Sequence, residues 1–255
     1  MTQASTFAPQ DRLDGKVAVI AGGTGAIGHA SARRLAARGA RCVLLHNGDP
    51  AAASRVGELP GEGHAEVRAS ITDSPALKAA AERVRADFGT CHILVNSAGY
   101  TKPVPAADLE GLTDELIDDI LKVNFRGVFS TIRAFAPLLK ESGDGLIVTL
   151  SSIAAFTGVG SNLAYVAAKA SVDVVGEALA RVLAPQVRVL SVSPGVVDST
   201  FVPGRGADFN AKTAATTPLG RIGTTDDIAA AVEACATSLR FATGTRIVVD
   251  GGRHL

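Results

Sequence analysis

The stretch "KVAVIAGGTGAIG", Lys16 to Gly28, opens as a short apolar run, turns through Gly22, Gly23 and Gly25, and enters an Ala-rich segment of helical character. A strand that passes through glycines into a helix lets the backbone approach a ligand at the turn. The helix N-terminus then supplies N–H groups and a partial positive charge. Gly23, Gly25 and Gly28 fit the GxGxxG spacing of a turn that cradles a pyrophosphate, with Thr24, Ala26 and Ile27 between them. In a chain with 27 glycines such a match arises easily, so its weight comes from the strand and helix on either side.

The same alternation continues outward from this turn. "KVAVIA" precedes a helical segment over 27–38, "RCVLL" one over 50–57, "AEVRAS" one over 75–88, and "HILVNS" a long one over 113–141. "GLIVTLSS" leads to a helix over 164–183, "VRVLSVS" to one over 225–238, and "TRIVVD" closes the series. Apolar runs of this length separated by helices indicate parallel strands covered on both faces. The predicted fold is α/β: a single-domain Rossmann fold, a doubly wound seven-stranded parallel sheet with helices on both faces. Residues 1–15 read as a polar tail and 16–255 as one dinucleotide-binding and catalytic domain. Within it, 199–224 lacks clear periodicity and carries the glycines a mobile lid over a substrate would use.

Composition narrows the partners. Net charge is formally zero and charged residues make up 20%, so no field recommends nucleic acid or an anionic membrane. Cys42, Cys91 and Cys235 lie far apart without a metal-like cluster, which fits a reducing compartment and no structural metal. The first residues, "MTQASTFAPQDRLDGK", show neither signal peptide nor anchor, so a cytoplasmic protein is expected.

At the end of the second strand, an acidic residue would bind the adenosine ribose and repel a 2′-phosphate, whereas Arg would accept that phosphate. "VLLHNGD" offers His46 and Asn47 there instead. Without the acid the main obstacle to a 2′-phosphate is gone, which favours NADP(H) over NAD(H). His46 reads equally as a phosphate contact or an ordinary loop histidine.

In "AYVAAKAS", Tyr165 and Lys169 stand four residues apart, on one face of a helix. A phenol titrates near pH 10 in water, and a fixed positive charge beside it favours the phenolate. That tuning suits a group exchanging a proton with a carbonyl or alcohol oxygen. "GLIVTLSS" ends its strand with Ser151 and Ser152, which can meet the tyrosine at the C-terminal edge of the sheet.

With these residues in place, the chain resembles the short-chain dehydrogenase/reductases nearly throughout. The likeness runs from the Gly-rich turn through "NSAG" (96–99), "VNFRGVF" (123–129), "SS" (151–152), YxxxK (165–169), "SPG" (193–195) and "VVDGG" (248–252). The resemblance implies a tetrad of Asn124, Ser152, Tyr165 and Lys169. Tyr165 would be the general acid in reduction and the base in oxidation, and Ser152 would hydrogen-bond the substrate oxygen. Lys169 would lower the Tyr165 pKa and hold the nicotinamide ribose, with Asn124 placing a water in the relay. It further implies Pro194, Gly195, Val197 and Ser199 beside the carboxamide, and Asn96, Ala98 and Gly99 on the adenosine side. For Asn96 a role in the sheet stands beside ligand contact, and Ser151 is structural.

Two positions depart from the family pattern. Ala21 and Ala26 replace residues of the TGxxxGxG turn of short members, and the spacing Gly22, Gly25, Gly28 resembles the extended members, among them epimerases and dehydratases. The chain ends soon after "VVDGG", so the short type is retained. Ser70-Ile71 stands where many relatives have Asp-Val, so adenine contact is expected to be weaker or to rely on the Ile71 amide.

Overall the chain resembles the branch of 3-oxoacyl carrier-protein reductase-like members. Arg181 alone in "ARVLAPQ" gives little attraction for an acidic protein, which points to a small-molecule ketone or secondary alcohol. Phe201, Phe209, Arg205 and Lys212 fit either an apolar substrate with an acidic group or lid packing with solvated charges. The resemblance implies a homo-oligomer, dimer or tetramer, through the helices at 113–141 and 164–183 and the C-terminal tail. A dinucleotide-binding sensor without turnover and an NAD-retaining epimerase or dehydratase stand as the alternatives.

Overall fold

Val, Ile, Leu and Ala fill the strands, and seven of these runs pair into one sheet: β1 Val17–Ala21, β2 Arg41–His46, β3 Ala65–Arg68, β4 Ile93–Asn96, β5 Gly145–Leu150, β6 Val187–Pro194 and β7 Thr245–Val249. The structure is a computed structural model and describes residues 11–205 and 207–255. Residues 1–10 of the expected tail and Gly206 of the expected loop lie outside the described residues. Strand order is β3-β2-β1-β4-β5-β6-β7. Every pairing is parallel. Each connection therefore crosses over through a helix, and all strand C-termini reach the same edge. The order reverses between β1 and β4, where ligands enter such sheets.

The helices are α1 Ala26–Ala37, α2 Ala52–Gly57, α3 Ser74–Phe88, α4 Asp114–Leu121, α5 Val128–Glu141, α6 Ala154–Thr157, α7 Leu163–Leu183, α8 Ala207–Ala215 and α9 Thr225–Ala236. Alternation along β1 sends Val17 and Val19 to a core shared with Leu77 of α3, Phe135 of α5 and Val172 of α7. Ala18 and Ile20 face the other core, with Leu35 of α1 and Ile228 and Val232 of α9. Strands β1, β4 and β5 are buried along their whole length, as strands covered on both faces must be.

Two segments differ from the sequence reading. The helical run expected over 113–141 is broken by a π-helical segment, Lys122–Gly127, between α4 and α5. The wider turn swings Asn124 inward, where its side-chain amide donates to the Tyr100 and Ile120 carbonyls at 2.7 and 3.0 Å. A 3.6-residue hydrophobic period cannot register one wide turn. The segment 199–224, expected to be irregular, contains α8. Its sequence, "ADFNAKTAA", has Phe209 as its one large apolar residue, too little to mark a face.

Phe135 is fully buried under the sheet. Phe135→Ala is expected to cost about 3–5 kcal/mol, read as a lowered urea midpoint at unchanged slope.

Candidate active site

Both candidate halves lie at the C-terminal edge of the sheet, on either side of the switch point. On the first side, β1 runs into Gly22, whose φ is +74°. A Cβ there would meet the Ala98 backbone nitrogen at 2.7 Å. Only glycine lets the turn and the loop after β4 approach this closely. A Cβ on Gly28 would fall 2.2 Å from the Gly22 carbonyl oxygen, and one on Gly23 would fall 2.9 Å from Leu44 Cα. Gly25 is the N-cap of α1 and makes no side-chain cap, so the first-turn N–H groups of Ala26, Ile27 and Gly28 face the turn open to an anion. These residues fit a dinucleotide pyrophosphate.

The adenosine end differs from the sequence reading in its detail. His46 is buried, its Nδ1 accepts from the Asp49 amide at 2.9 Å, and its Nε2 lies 2.6 Å from Glu66 Oε2. With Nδ1 accepting, Nε2 donates to Glu66, so both ring nitrogens are engaged within the protein. Two groups that sequence reasoning missed stand there instead. Asp49 accepts a hydrogen bond from Thr24 of the Gly-rich turn and another from the Ala51 amide, which together hold its carboxyl below the usual range. Arg68, exposed at the end of β3, lays its guanidinium against Gly48, where a Cβ would meet Nε at 3.4 Å. The signal for Arg68 was its register, since it pairs with His46 across the sheet. Asn47 is exposed beside them.

Ser70 is taken up by Thr72, its hydroxyl 2.9 Å from Thr72 Oγ1. The Ile71 side chain is buried against Gly127, where a Cβ would lie 2.8 Å away, leaving only its backbone for a ligand. Asn96, at the end of β4, donates to Thr149 on β5 at 3.4 Å, and its buried Oδ1 has no partner among the described residues.

The second side gathers Asn124, Ser152, Tyr165 and Lys169. Asn162 caps α7 by accepting from the Tyr165 amide at 2.7 Å, and donates to the Lys102 carbonyl at 2.8 Å. This ties the start of the tyrosine helix to the loop after β4. Asn162 was not singled out from sequence, although an Asn three residues ahead of the tyrosine is an N-cap signal. Tyr165 is buried, and its phenol is pushed up to about 12 by burial, against a hydrogen bond from Ser152 and the charge of Arg205. Lys169 is brought down to about 8, again by burial, with the negative charge of Asp173 opposing.

The Lys169 Nζ donates to the Leu150 carbonyl at 2.6 Å and lies 5.6 Å from the centre of the phenol ring, over the ring face. Burial is the largest influence on the phenol, because the phenolate loses its water there. Ser151 is structural, buried with its hydroxyl 3.4 Å from the Lys169 carbonyl.

The segment after β6 lies beside this pair. Phe201 packs at 6.1 Å, ring to ring, against Tyr165, and a Cβ on Gly99 would sit 3.4 Å from the Phe201 ring and 3.0 Å from Asn124 Oδ1. Arg205 stacks over Phe209 of α8 at 4.5 Å. The run Pro194, Gly195, Val197 and Ser199 leads from β6 to the lid, pinned by Gly195 N donating to the Val249 carbonyl at 3.1 Å and by a bridge from Val197 to Gly223. The tail packs on the lid too: Arg253 donates to Thr216 Oγ1 at 3.0 Å. Among the described residues no His, Cys, Asp and Glu cluster could hold a metal, and no helix is long and apolar enough to cross a membrane.

A parallel sheet with a glycine cradle on one side of its switch point and a buried tyrosine and lysine on the other defines a Rossmann-type dinucleotide-binding protein. A family model described as enoyl-(acyl carrier protein) reductase matches residues 22–254. The chain is 32% identical to the 3-oxoacyl-acyl-carrier-protein reductase FabG of Escherichia coli, over 95% of this chain and 99% of that protein. It is 35% identical to the D-threitol dehydrogenase of Mycolicibacterium smegmatis, over 99% and 98%. A solved dehydrogenase/reductase of Sinorhizobium meliloti superposes with a TM-score of 0.87 at 34% identity, over 96% of this chain and 98% of that one. The chain belongs to the short-chain dehydrogenase/reductases, a family of NAD(P)-dependent oxidoreductases.

Because a Cβ on Gly28 would collide with the Gly22 carbonyl, Gly28→Ala must displace the turn. The expected outcome is loss of dinucleotide binding, monitored by nicotinamide fluorescence, in a protein whose circular dichroism remains that of the parent.

Proposed function

We propose that this protein transfers a hydride between a nicotinamide dinucleotide and a small-molecule ketone or secondary alcohol, with Asn124, Ser152, Tyr165 and Lys169 as its working residues. The observation that carries the reading is the buried Tyr165 phenol, hydrogen-bonded by Ser152, next to a buried Lys169 on the same helix face. The cofactor supplies the hydride to the carbonyl carbon in reduction and takes it back in oxidation. Tyr165 gives its proton to the carbonyl oxygen, and a proton from solvent restores it, so ketone, hydride and one proton make the alcohol. Ser152 donates to the same oxygen and holds it beside the phenol. Lys169 holds the nicotinamide ribose, and Asn124 positions water toward solvent. Phe201 excludes water above the reacting carbon, and 199–224 forms the substrate loop.

A phenol held near 12 stays protonated throughout the neutral range, which suits the acid of a reduction. Lys169 keeps its ammonium below about pH 8 and loses it above. Reduction is accordingly expected to slow as pH rises through about 8, in a plot of kcat against pH. Tyr165→Phe should lower kcat by about 100-fold or more while leaving dinucleotide binding intact. A Tyr165→Phe enzyme with undiminished turnover would remove the proposed acid.

For the cofactor, NADP(H) remains our reading over NAD(H). Neither His46 nor Asn47 supplies the acid that repels a 2′-phosphate, and Arg68 at Gly48 supplies a fork to bind one. Asp49 at Thr24 opposes it. Arg68→Ala should weaken NADPH about tenfold and NADH little, whereas Asp49→Asn should strengthen NADPH; fluorescence titration with both cofactors reads the two effects. Equal affinities in the parent protein, unmoved by either substitution, would place the 2′-position elsewhere.

The remaining surface suits self-association. Phe129 of α5 and Val174 and Val182 of α7 stand exposed, and we assign this face to a second copy of the chain.

A further inference from the structure

Asp173 is the one buried carboxylate among the described residues whose oxygens both lack a hydrogen-bond partner. It lies on α7, one helical turn beyond Lys169 and two beyond Tyr165, and is 3% exposed. Burying a carboxylate without hydrogen bonds costs several kcal/mol, and native structures retain such a group where its charge is used or a partner supplies the missing bonds. Lys169 stands four residues before Asp173, so the two share one face of α7.

The charged surroundings of Asp173 are few. On α7 these are Lys169 and Glu177. From β7 comes Arg246, whose Nη1 stays 3.8 Å from Asp173 Oδ2, too far for a hydrogen bond. Arg246 is divided between that carboxylate, Glu177 at 3.6 Å and the Phe156 ring at 5.3 Å. β6 contributes Ser191 and apolar residues, which do not titrate, to the crevice that Asp173 lines. Around Lys169 stand the Tyr165 ring on its own helix and the Leu150 carbonyl from the end of β5. Asp173 is the negative charge that acts on the Lys169 ammonium, against its burial.

We infer that Asp173 is a positioning residue for the reaction, a buried counter-charge one turn behind Lys169 that keeps the ammonium protonated and aimed at the Leu150 carbonyl and the tyrosine. The inference rests on the oxidoreductase reading for its consequence, not for its test. Without the counter-charge, a fully buried ammonium with a single carbonyl partner gives up its proton more readily. The ribose contact and the cation beside the phenol are then lost at lower pH. Asp173 touches no reacting atom and acts through Lys169.

The test follows the Lys169 proton directly. In lysine-labelled protein, the ¹³Cε shift of Lys169, assigned by its loss in Lys169→Arg, is titrated against pH in the wild type, Asp173→Asn and Arg246→Gln. Asp173→Asn is expected to move the midpoint down by about one pH unit, and Arg246→Gln, which frees Asp173 from its competing cation, to move it up. Should Asp173→Asn not fold, the upward shift in Arg246→Gln carries the test by itself. A midpoint unmoved in the folded variants overturns the inference. So does an Asp173→Asn protein that dissociates in solution with its Lys169 midpoint unchanged, since Asp173 would then serve contact between copies. Because no turnover is needed, failure here is separate from failure of Tyr165→Phe to lower kcat.

Discussion

Parallel pairing is the constraint from which the rest of this molecule follows. Two neighbouring parallel strands cannot be joined by a tight turn, so each strand is followed by a crossover that covers one face of the sheet. The apolar strands are thereby buried on both sides, and the C-terminal ends of all seven collect at one edge. Residues separated by more than a hundred positions, such as Gly22 and Ser152 or Thr24 and Tyr165, reach the same rim for that reason. At the reversal between β1 and β4 the helices diverge to opposite faces and leave the crevice in which the glycine cradle opens.

Within the crevice, close approach and burial set the chemistry. Glycine at 22 and 28 lets backbone meet backbone at distances no side chain would permit. Across the gap, burial raises the Tyr165 phenol and lowers the Lys169 ammonium, so both lean toward their neutral forms. Phe201, from the segment after β6, packs against the phenol ring. Asn162 holds the arrangement from below, as cap of the tyrosine helix and tether of the loop after β4. Protons on this edge are therefore governed by water exclusion, modulated by Arg205 at the phenol and Asp173 at the ammonium.

The adenosine end shows how three-dimensional placement redistributes roles among neighbours. His46 ends β2 at the position that draws attention in sequence, yet its ring is spent on Glu66 and the Asp49 amide. The groups left facing the ligand side are Asp49, three residues on, and Arg68, from the adjacent strand. They carry opposite signs.

The sequence alone determined the seven strands, their parallel pairing, the glycine turn, and the family, because these depend on periodicity and on residue types spaced along one chain. The positions of Tyr165 and Lys169 on one helix face were equally legible, since a four-residue spacing is a local property. Only the tertiary structure decided the wide turn that brings Asn124 inward, α8 within 199–224, the engagement of His46, and the lack of a hydrogen bond at the buried Asp173. Only it, too, decided how strongly burial raises the phenol and lowers the ammonium. Desolvation and pairing across strands depend on what surrounds a group in space, and neither is written in the residues beside it.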